Sequence, residues 1–380
     1  MDTYYFDNGA TTKVKGEVLQ EMMPYFQEQY GNPSAVYALA RDAKRGIEEA
    51  RQRVADLIGA KRQEIYFTGT GTEADNLALK GIAYSNKDKG NHIITTKIEH
   101  KAILDTCKFL ETQGFNVTYL NVDTQGFIDI EEFKKCITEK TILISVMFAN
   151  NEIGTIQPIE DIAKIAKEKN IKFHTDSVQA VGNVKIDVKQ MGIDMLSLSS
   201  HKIYGPKGVG ALYVKENTKF EKFINGGYQE KNKRAGTENT AGIVGLGKAA
   251  ELAKENIEEH KNKLKTLRDY YVQEITDKIP GTKINGAKNA RLPGNSNISF
   301  QGINANDLLL ELDNAGICAS SGSACTSKDP TPSHVLKAIG LDEELIKGAL
   351  RVTFGDFNTK EEVDYLITNL EKSVKKLRRY

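Results

Sequence analysis

Short apolar runs alternate with amphipathic segments through the first two thirds of the chain, and this alternation restricts the fold more than any other feature. EIYFTGTG, NHIITTKIEH, NVTYLNV, TILISVMFANN, IKFHTDSVQ and MLSLSSHK read as strands, with helices between them. The segment Ile159–Asn170 (IEDIAKIAKEKN) carries apolar residues at helical spacing and predicts a right-handed crossover between two of those strands. Strands alternating with helices imply an α/β domain around a largely parallel sheet. Beyond it, a charged helical stretch from Ile257 to Ile279 leads to an α+β region containing NSNISFQG, NDLLLELDNAGI and ALRVTFG. At 380 residues the chain exceeds what one hydrophobic core usually serves, so two domains are expected.

Several function classes are disfavoured at this level. Lys+Arg 52 against Asp+Glu 51 leaves the net charge at +1, and basic runs are short apart from the tail KKLRRY, so no nucleic-acid partner is expected. No apolar run approaches the roughly 20 residues needed to cross a bilayer, and MDTYYFDNGATT has neither a basic n-region nor an apolar h-region. A cytoplasmic protein without membrane attachment is the expectation. The four cysteines, Cys107, Cys136, Cys318 and Cys325, lack C-x-x-C spacing, which argues against a disulfide framework and a zinc cage. No histidine has a metal-ligand neighbour at i+3 or i+4, and no metal is expected.

Ligands of open α/β sheets sit beyond the carboxyl ends of the strands, where Thr68–Thr72, Glu99–His100, Asn150–Asn151, Asp176 and His201–Lys202 would fall. Lys202, in SLSSHKIYGPKGVGALYV, is not part of a phosphate-binding G-x-x-x-x-G-K-[ST] loop. The nearest match to that motif, GIVGLGKA at Gly242–Ala249, has alanine where the hydroxyl residue belongs and reads as a glycine-rich stretch of a packed helix. A lysine at one strand end and an aspartate on a neighbouring strand meet the needs of pyridoxal phosphate: an amine for the Schiff base and a carboxylate to keep the pyridine nitrogen protonated. Lys202 and Asp176 fit these roles, and Gly71 and Thr72, in a turn before the helix-like TEADNLALKGIA, fit a phosphate site at a helix N-terminus.

YFDNGATT, TGTGTEADN, IEHKAILDTC, FANNEIGTIQPI, HTDSVQA, SSHKIYGPKGVGALYV, RAGTEN, SSGSACTS and LRVTFG follow one another in an order that resembles the cysteine desulfurases of the NifS/IscS type, within the class-V aminotransferases. The resemblance covers essentially the whole chain. It implies the aminotransferase-like fold of pyridoxal phosphate enzymes: a large domain (14–257) around a mostly parallel seven-stranded sheet, and a smaller α+β domain (1–13 and 258–380) carrying a cysteine loop at about 318–333. It further implies Lys202 as Schiff-base lysine and proton shuttle, His100 stacked on the pyridine ring, and Asp176 on the ring nitrogen. Asn151 and Gln179 would contact the ring hydroxyl or the substrate, and Gly71, Thr72, Ser199 and His201 would hold the phosphate. Thr237 would reach the phosphate of a partner subunit, which implies a homodimer. Arg351 is similar to the arginine that clamps the substrate carboxylate, a task suited to its bidentate fork. Cys325, among small and polar residues, would take the sulfur of L-cysteine as a persulfide, release L-alanine and pass the sulfur to an acceptor protein such as an iron–sulfur scaffold.

Cys107, Cys136 and Cys318 read as buried filler. His92, His260 and His334 read as structural, and His174, two residues before Asp176 on the same strand, as a satisfied core histidine facing that aspartate's side. The pattern departs from the family at Gly9, Thr70 and Tyr37, and most in GGYQEKNKRAGTEN, where Tyr228 and Asn232 replace glycines and Lys233 an arginine. A selenocysteine lyase, an aminotransferase or an epimerase of the same fold would keep Lys202 and Asp176 but would not all need Cys325. A hydrolase pairing Cys325 with His100 or His334 would need no Schiff-base lysine, and a non-catalytic sulfur carrier would not turn over.

Overall fold

A computed structural model describes residues 3–322 and 332–378. Seven strands form the large sheet: β2 (Ile65–Thr68), β3 (His92–Thr96), β4 (Asn116–Leu120), β5 (Thr141–Ser145), β6 (Lys172–Asp176), β7 (Met195–Ser199) and β8 (Gly210–Val214), in the order β2-β8-β7-β6-β5-β3-β4. Strands β3 to β7 pair parallel, and each of the six apolar runs in the sequence supplies one strand. The seventh, β8, runs antiparallel between β7 and β2. It follows β7 across the short segment 200–209, which turns the chain back on itself, whereas a parallel return needs a long crossover. The crossover predicted between β5 and β6 is the helix Ile159–Glu168, which buries Ile159, Ile162, Ala163, Ile165 and Ala166.

The 39-residue helix Thr240–Lys278 is capped by Asn239, whose side chain accepts from the Gly242 N–H at 3.1 Å. Its glycine-rich start packs as the sequence suggested: a Cβ on Gly247 would lie 2.5 Å from Ala50 Cα, so glycine lets this helix meet the helix Ala38–Ile58 closely. Ile243, Leu246, Ala249 and Ala250 belong to the core beside the large sheet, while Leu264, Leu267, Tyr271 and Ile275 belong to a second core. The charged stretch 257–279 is thus the distal part of one continuous helix, and the expected boundary at 257/258 falls inside it. The second core lies against an antiparallel sheet of β9 (Thr282–Ile284), β10 (Asn295–Phe300) and β12 (Ala349–Thr353), and includes Phe6 of the N-terminal arm. In that arm β1 (Tyr4–Tyr5) pairs parallel with β11 (Ile317–Cys318).

Candidate active site

The carboxyl ends of the large-sheet strands open into one crevice of about 200 Å³. Gly71, Thr72, His100, Asn151, Asp176, Gln179, Ser199, His201, Lys202 and Arg351 all line it. Two expected site residues are not among them. Thr237 is exposed, in the segment leading into helix Thr240–Lys278. Cys325 lies outside the described residues.

At one end of the crevice β2 turns into the helix Gly71–Ser85. Thr70 caps this helix by accepting the Glu73 N–H at 3.0 Å, so threonine serves a capping role where the family pattern has glycine. The N–H groups that open a helix lack intrahelical partners, and with the dipole they make an anion site. Glycine is required at Gly71, since a Cβ there would lie 2.8 Å from Val178 Cγ2 and 3.3 Å from Ser199 Cβ.

Asp176, at the end of β6, is buried and accepts the Val178 N–H at 2.9 Å. Burial raises its carboxyl above the usual range, while His100, the Val178 N–H and Lys202 pull it down. Lys202 follows β7 in a 3₁₀ turn and donates to the carbonyls of Gly9 and Ala10, the latter at 2.8 Å. His100 caps the helix Lys101–Thr112 through Nδ1, which accepts from the Ala102 N–H at 3.1 Å, so in the neutral ring Nε2 carries the proton. Burial, aided by Lys202 and Lys207, pushes His201 down to about 4, and it stays neutral near pH 7 while bonded to Thr11 Oγ1 at 3.1 Å. Gln179 donates from Nε2 to the Gly9 carbonyl at 3.0 Å, tying the N-terminal arm to the crevice floor.

These residues fit pyridoxal phosphate. A turn that tolerates only glycine leads into a helix N-terminus, and a buried carboxylate, an amine and an imidazole share the same crevice.

Sequence reasoning missed two acidic residues here. Asp75 is 1% exposed, lines the crevice, and its Oδ1 has no hydrogen-bond partner among the described residues. Burial above all, then the Asp176 charge, pushes its carboxyl well above the usual range. The signal for it was the helix start at Gly71, because position i+4 shares a face with position i. The second is Asp7, which pairs with Arg351 at 2.8 Å. His174 is a satisfied core histidine between Ser145 Oγ (2.9 Å) and Ser197 Oγ (3.0 Å), and burial holds it down to about 3, so it remains neutral 3.7 Å from Asp75.

Tyr228, Asn232 and Lys233 lie in a turn in which Glu230, Lys231 and Asn232 all have positive φ. Asn232 adopts a left-handed φ of 62°, a conformation asparagine tolerates better than most residues, so it performs the task of the expected glycine. Tyr228 has φ −88°, where no glycine is needed, and its side chain is exposed. Nearby, Glu230 forms a buried bidentate pair with Arg51 (2.6 and 2.8 Å) and accepts the Phe67 N–H at 2.8 Å. Arg234 forms a second bidentate pair with Glu73 at 2.8 and 3.2 Å. The segment is thereby clamped onto β2 and the helix Gly71–Ser85.

Beside His100, Glu99 is fully buried. Its Oε1 accepts from Thr96 Oγ1 at 2.8 Å and from the Met147 N–H at 2.9 Å, yet burial raises its carboxyl to about 8. The native state therefore holds this proton more tightly than the unfolded chain, with its ordinary value of 4.5. Its contribution is full below that value and declines as pH rises toward about 8, by at most about 1.4 kcal/mol per pH unit. Urea midpoints across this range should show Glu99→Gln flattening the decline; a decline as steep as that of the wild type would show that other groups cause it.

The sequence profile for aminotransferase class V matches residues 4–366, and fold and site together define a class-V aminotransferase. Over 376 residues the chain is 57% identical to the cysteine desulfurase IscS of Clostridium botulinum, covering 98% of this chain and 95% of that one. It is 53% identical to the cysteine desulfurase IscS of Methanosarcina thermophila, covering 98% and 92%. A solved NifS-like protein superposes with a TM-score of 0.93 at 38% identity, covering 98% of this chain and all of the other. A structure described as SspA in complex with cysteine gives 0.83 at 40% identity, covering 94% and 100%. The chain belongs to the cysteine desulfurases of the class-V aminotransferase family, whose cofactor is pyridoxal phosphate.

Proposed function

We propose that this crevice converts L-cysteine to L-alanine and delivers the sulfur to Cys325 as a persulfide. The observation that carries this reading is the convergence of Lys202, Asp176, His100 and Arg351 on one crevice beside a helix N-terminus, in a chain so similar to cysteine desulfurases. Lys202 would hold the cofactor covalently, Asp176 its ring nitrogen, His100 its ring face, and Gly71, Thr72, Ser199 and His201 its phosphate. When bound, the cofactor supplies an electron sink for the substrate amine and its α-carbon. Arg351 would receive the substrate carboxylate, with Asn151 beside it, and Gln179 would face the ring hydroxyl. The Lys202 amine would be the group that moves the proton at the substrate α-carbon. The Cys325 thiolate would attack the substrate sulfur, the carbon–sulfur bond would break, and the methyl carbon of alanine would take up a proton. The sum balances as L-cysteine plus enzyme thiol giving L-alanine plus enzyme persulfide.

Thr237, exposed three residues after the Arg234 that pairs with Glu73, fits a role in the crevice of a second copy, and so a homodimer. The persulfide would pass to an acceptor protein such as an iron–sulfur scaffold. Cys107, Cys136 and Cys318 are free thiols, which suits a reducing compartment such as the cytoplasm. No helix among the described residues is long and apolar enough to cross a membrane.

The deciding experiment follows alanine and sulfide in one sample given L-cysteine and a reductant. Equal amounts of both over many turnovers support the reading; pyruvate, or a racemised amino acid without sulfide, would replace it with another activity of the same fold. A second test concerns the ring nitrogen. Asp176→Asn removes a charge-assisted hydrogen bond of about 1.5–3 kcal/mol, so turnover should fall roughly ten- to a hundredfold with the fold intact. Unchanged turnover and an unchanged cofactor spectrum would refute that role.

A further inference from the structure

Among the described residues Arg351 heads the fully buried side chains, and its guanidinium is held on two sides. One terminal nitrogen donates to the Asn151 carbonyl at 3.1 Å and the other to Asp7 Oδ1 at 2.8 Å. The third nitrogen, Nε, is buried and has no hydrogen-bond partner among the described residues. Asp7 is fixed in turn: its Oδ2 accepts from Ser320 Oγ at 2.7 Å, and Ser320 and Arg351 bond through their backbones in both directions, at 3.2 and 2.7 Å. The backbone beside Asp7 is tied on both sides as well, since the Phe6 N–H donates to the Cys318 carbonyl and the Phe6 carbonyl accepts from the Thr353 N–H. A rigid arm thus brings one carboxylate to the one arginine that, among the described residues, lines the crevice.

We propose that Asp7 is a positioning residue for the substrate carboxylate, fixing the Arg351 guanidinium so that its unpaired N–H groups are presented to the crevice. This rests on the reading that Arg351 receives the α-carboxylate of L-cysteine. Two effects of Asp7 oppose each other. Its negative charge weakens the attraction of Arg351 for an anionic carboxylate, while its hydrogen bond restrains a long side chain that would otherwise lose rotamer freedom on binding. Recognition of a carboxylate by the guanidinium fork depends on orientation, and Arg351 lines the crevice with a buried donor that no described residue satisfies, so positioning outweighs the lost attraction.

The test compares kcat/KM for L-cysteine and L-cysteinamide, which share the thiol and the α-hydrogen but differ in the charge of the carboxyl group. Cofactor-loaded wild type, Arg351→Lys, Asp7→Ala and Asp7→Asn are measured together. Wild type should prefer L-cysteine, and Arg351→Lys should lose most of that preference. Asp7→Ala should raise KM for L-cysteine about tenfold with kcat nearly unchanged and L-cysteinamide unaffected, so that the preference falls about tenfold. Binding of L-alanine, followed by the visible absorbance of the bound cofactor, should weaken by the same factor without any turnover. If Asp7→Ala does not fold, Asp7→Asn, whose one side-chain oxygen can still accept from Arg351 while its amide nitrogen donates to Ser320 Oγ, is read instead and should show a several-fold loss. An Asp7 variant with unchanged or increased preference overturns the proposal, as does one that loses both substrates equally. An Arg351→Lys enzyme that keeps the preference overturns the underlying assignment of Arg351 instead.

Discussion

Lys202→Ala should lose turnover of L-cysteine by at least about a thousandfold while the protein stays folded. In the proposed function, removing the amine would take away both the covalent anchor of the cofactor and the base next to the substrate α-carbon, and general acid–base catalysis alone is worth about 10²–10⁴. The phosphate turn at Gly71 and Thr72 does not depend on Lys202, so the variant should still retain pyridoxal phosphate. Its visible absorbance should differ from that of the wild type and should no longer become borohydride-resistant through attachment at position 202. The Lys202 amine now rests on the Gly9 and Ala10 carbonyls of the N-terminal arm, so its loss also removes a contact between arm and crevice. A modest drop in thermal midpoint would follow from that, separately from activity. A fully active Lys202→Ala would remove the foundation of the site.

Cys325→Ser should separate desulfuration from every other use of the same crevice. The groups that the proposed function assigns to L-cysteine binding and to its α-hydrogen, Lys202, Asp176, His100 and Arg351, are untouched, so the variant should still change its cofactor spectrum on adding L-cysteine. It should release no sulfide above background. A serine hydroxyl at neutral pH is a far weaker nucleophile toward sulfur than a thiolate and cannot hold a persulfide. Mass spectrometry of wild type exposed briefly to L-cysteine without reductant should find one added sulfur on the peptide holding Cys325. None is expected on Cys107, which is fully buried with its thiol pushed up chiefly by burial. None is expected on Cys318, whose half-buried thiol is likewise raised by burial, then by Asp313 and Asp7. Sulfur on Cys318 would relocate the acceptor within the same enzyme class. Sulfide and alanine at the wild-type rate from Cys325→Ser would end the persulfide mechanism.

The sequence alone determined the six parallel-reading strands, the crossover helix and the polar residues at the strand ends. Those depend on periodicity and on caps and breakers acting over a few residues, and they brought Lys202, Asp176, Gly71 and His100 within reach of one crevice. The lysine and aspartate were legible as a cofactor pair because each stands at the end of its own strand, where side chains leave the sheet for the ligand. Tertiary structure alone decided the pairings between distant segments. Asp7 and Arg351 lie in the N-terminal arm and the last strand, and no local rule places one beside the other; they meet because the arm joins the second core through Phe6 and β1. Gln179 turned out to bond the Gly9 carbonyl, and Asp75 to share its buried surroundings with Asp176, for the same reason. The helix Thr240–Lys278 runs unbroken between two cores because its glycine and alanine face meets Ala50 and its later leucines meet the small sheet. Periodicity within one segment carries no information about which neighbour will bury it, and that choice is made only when the layers close on one another.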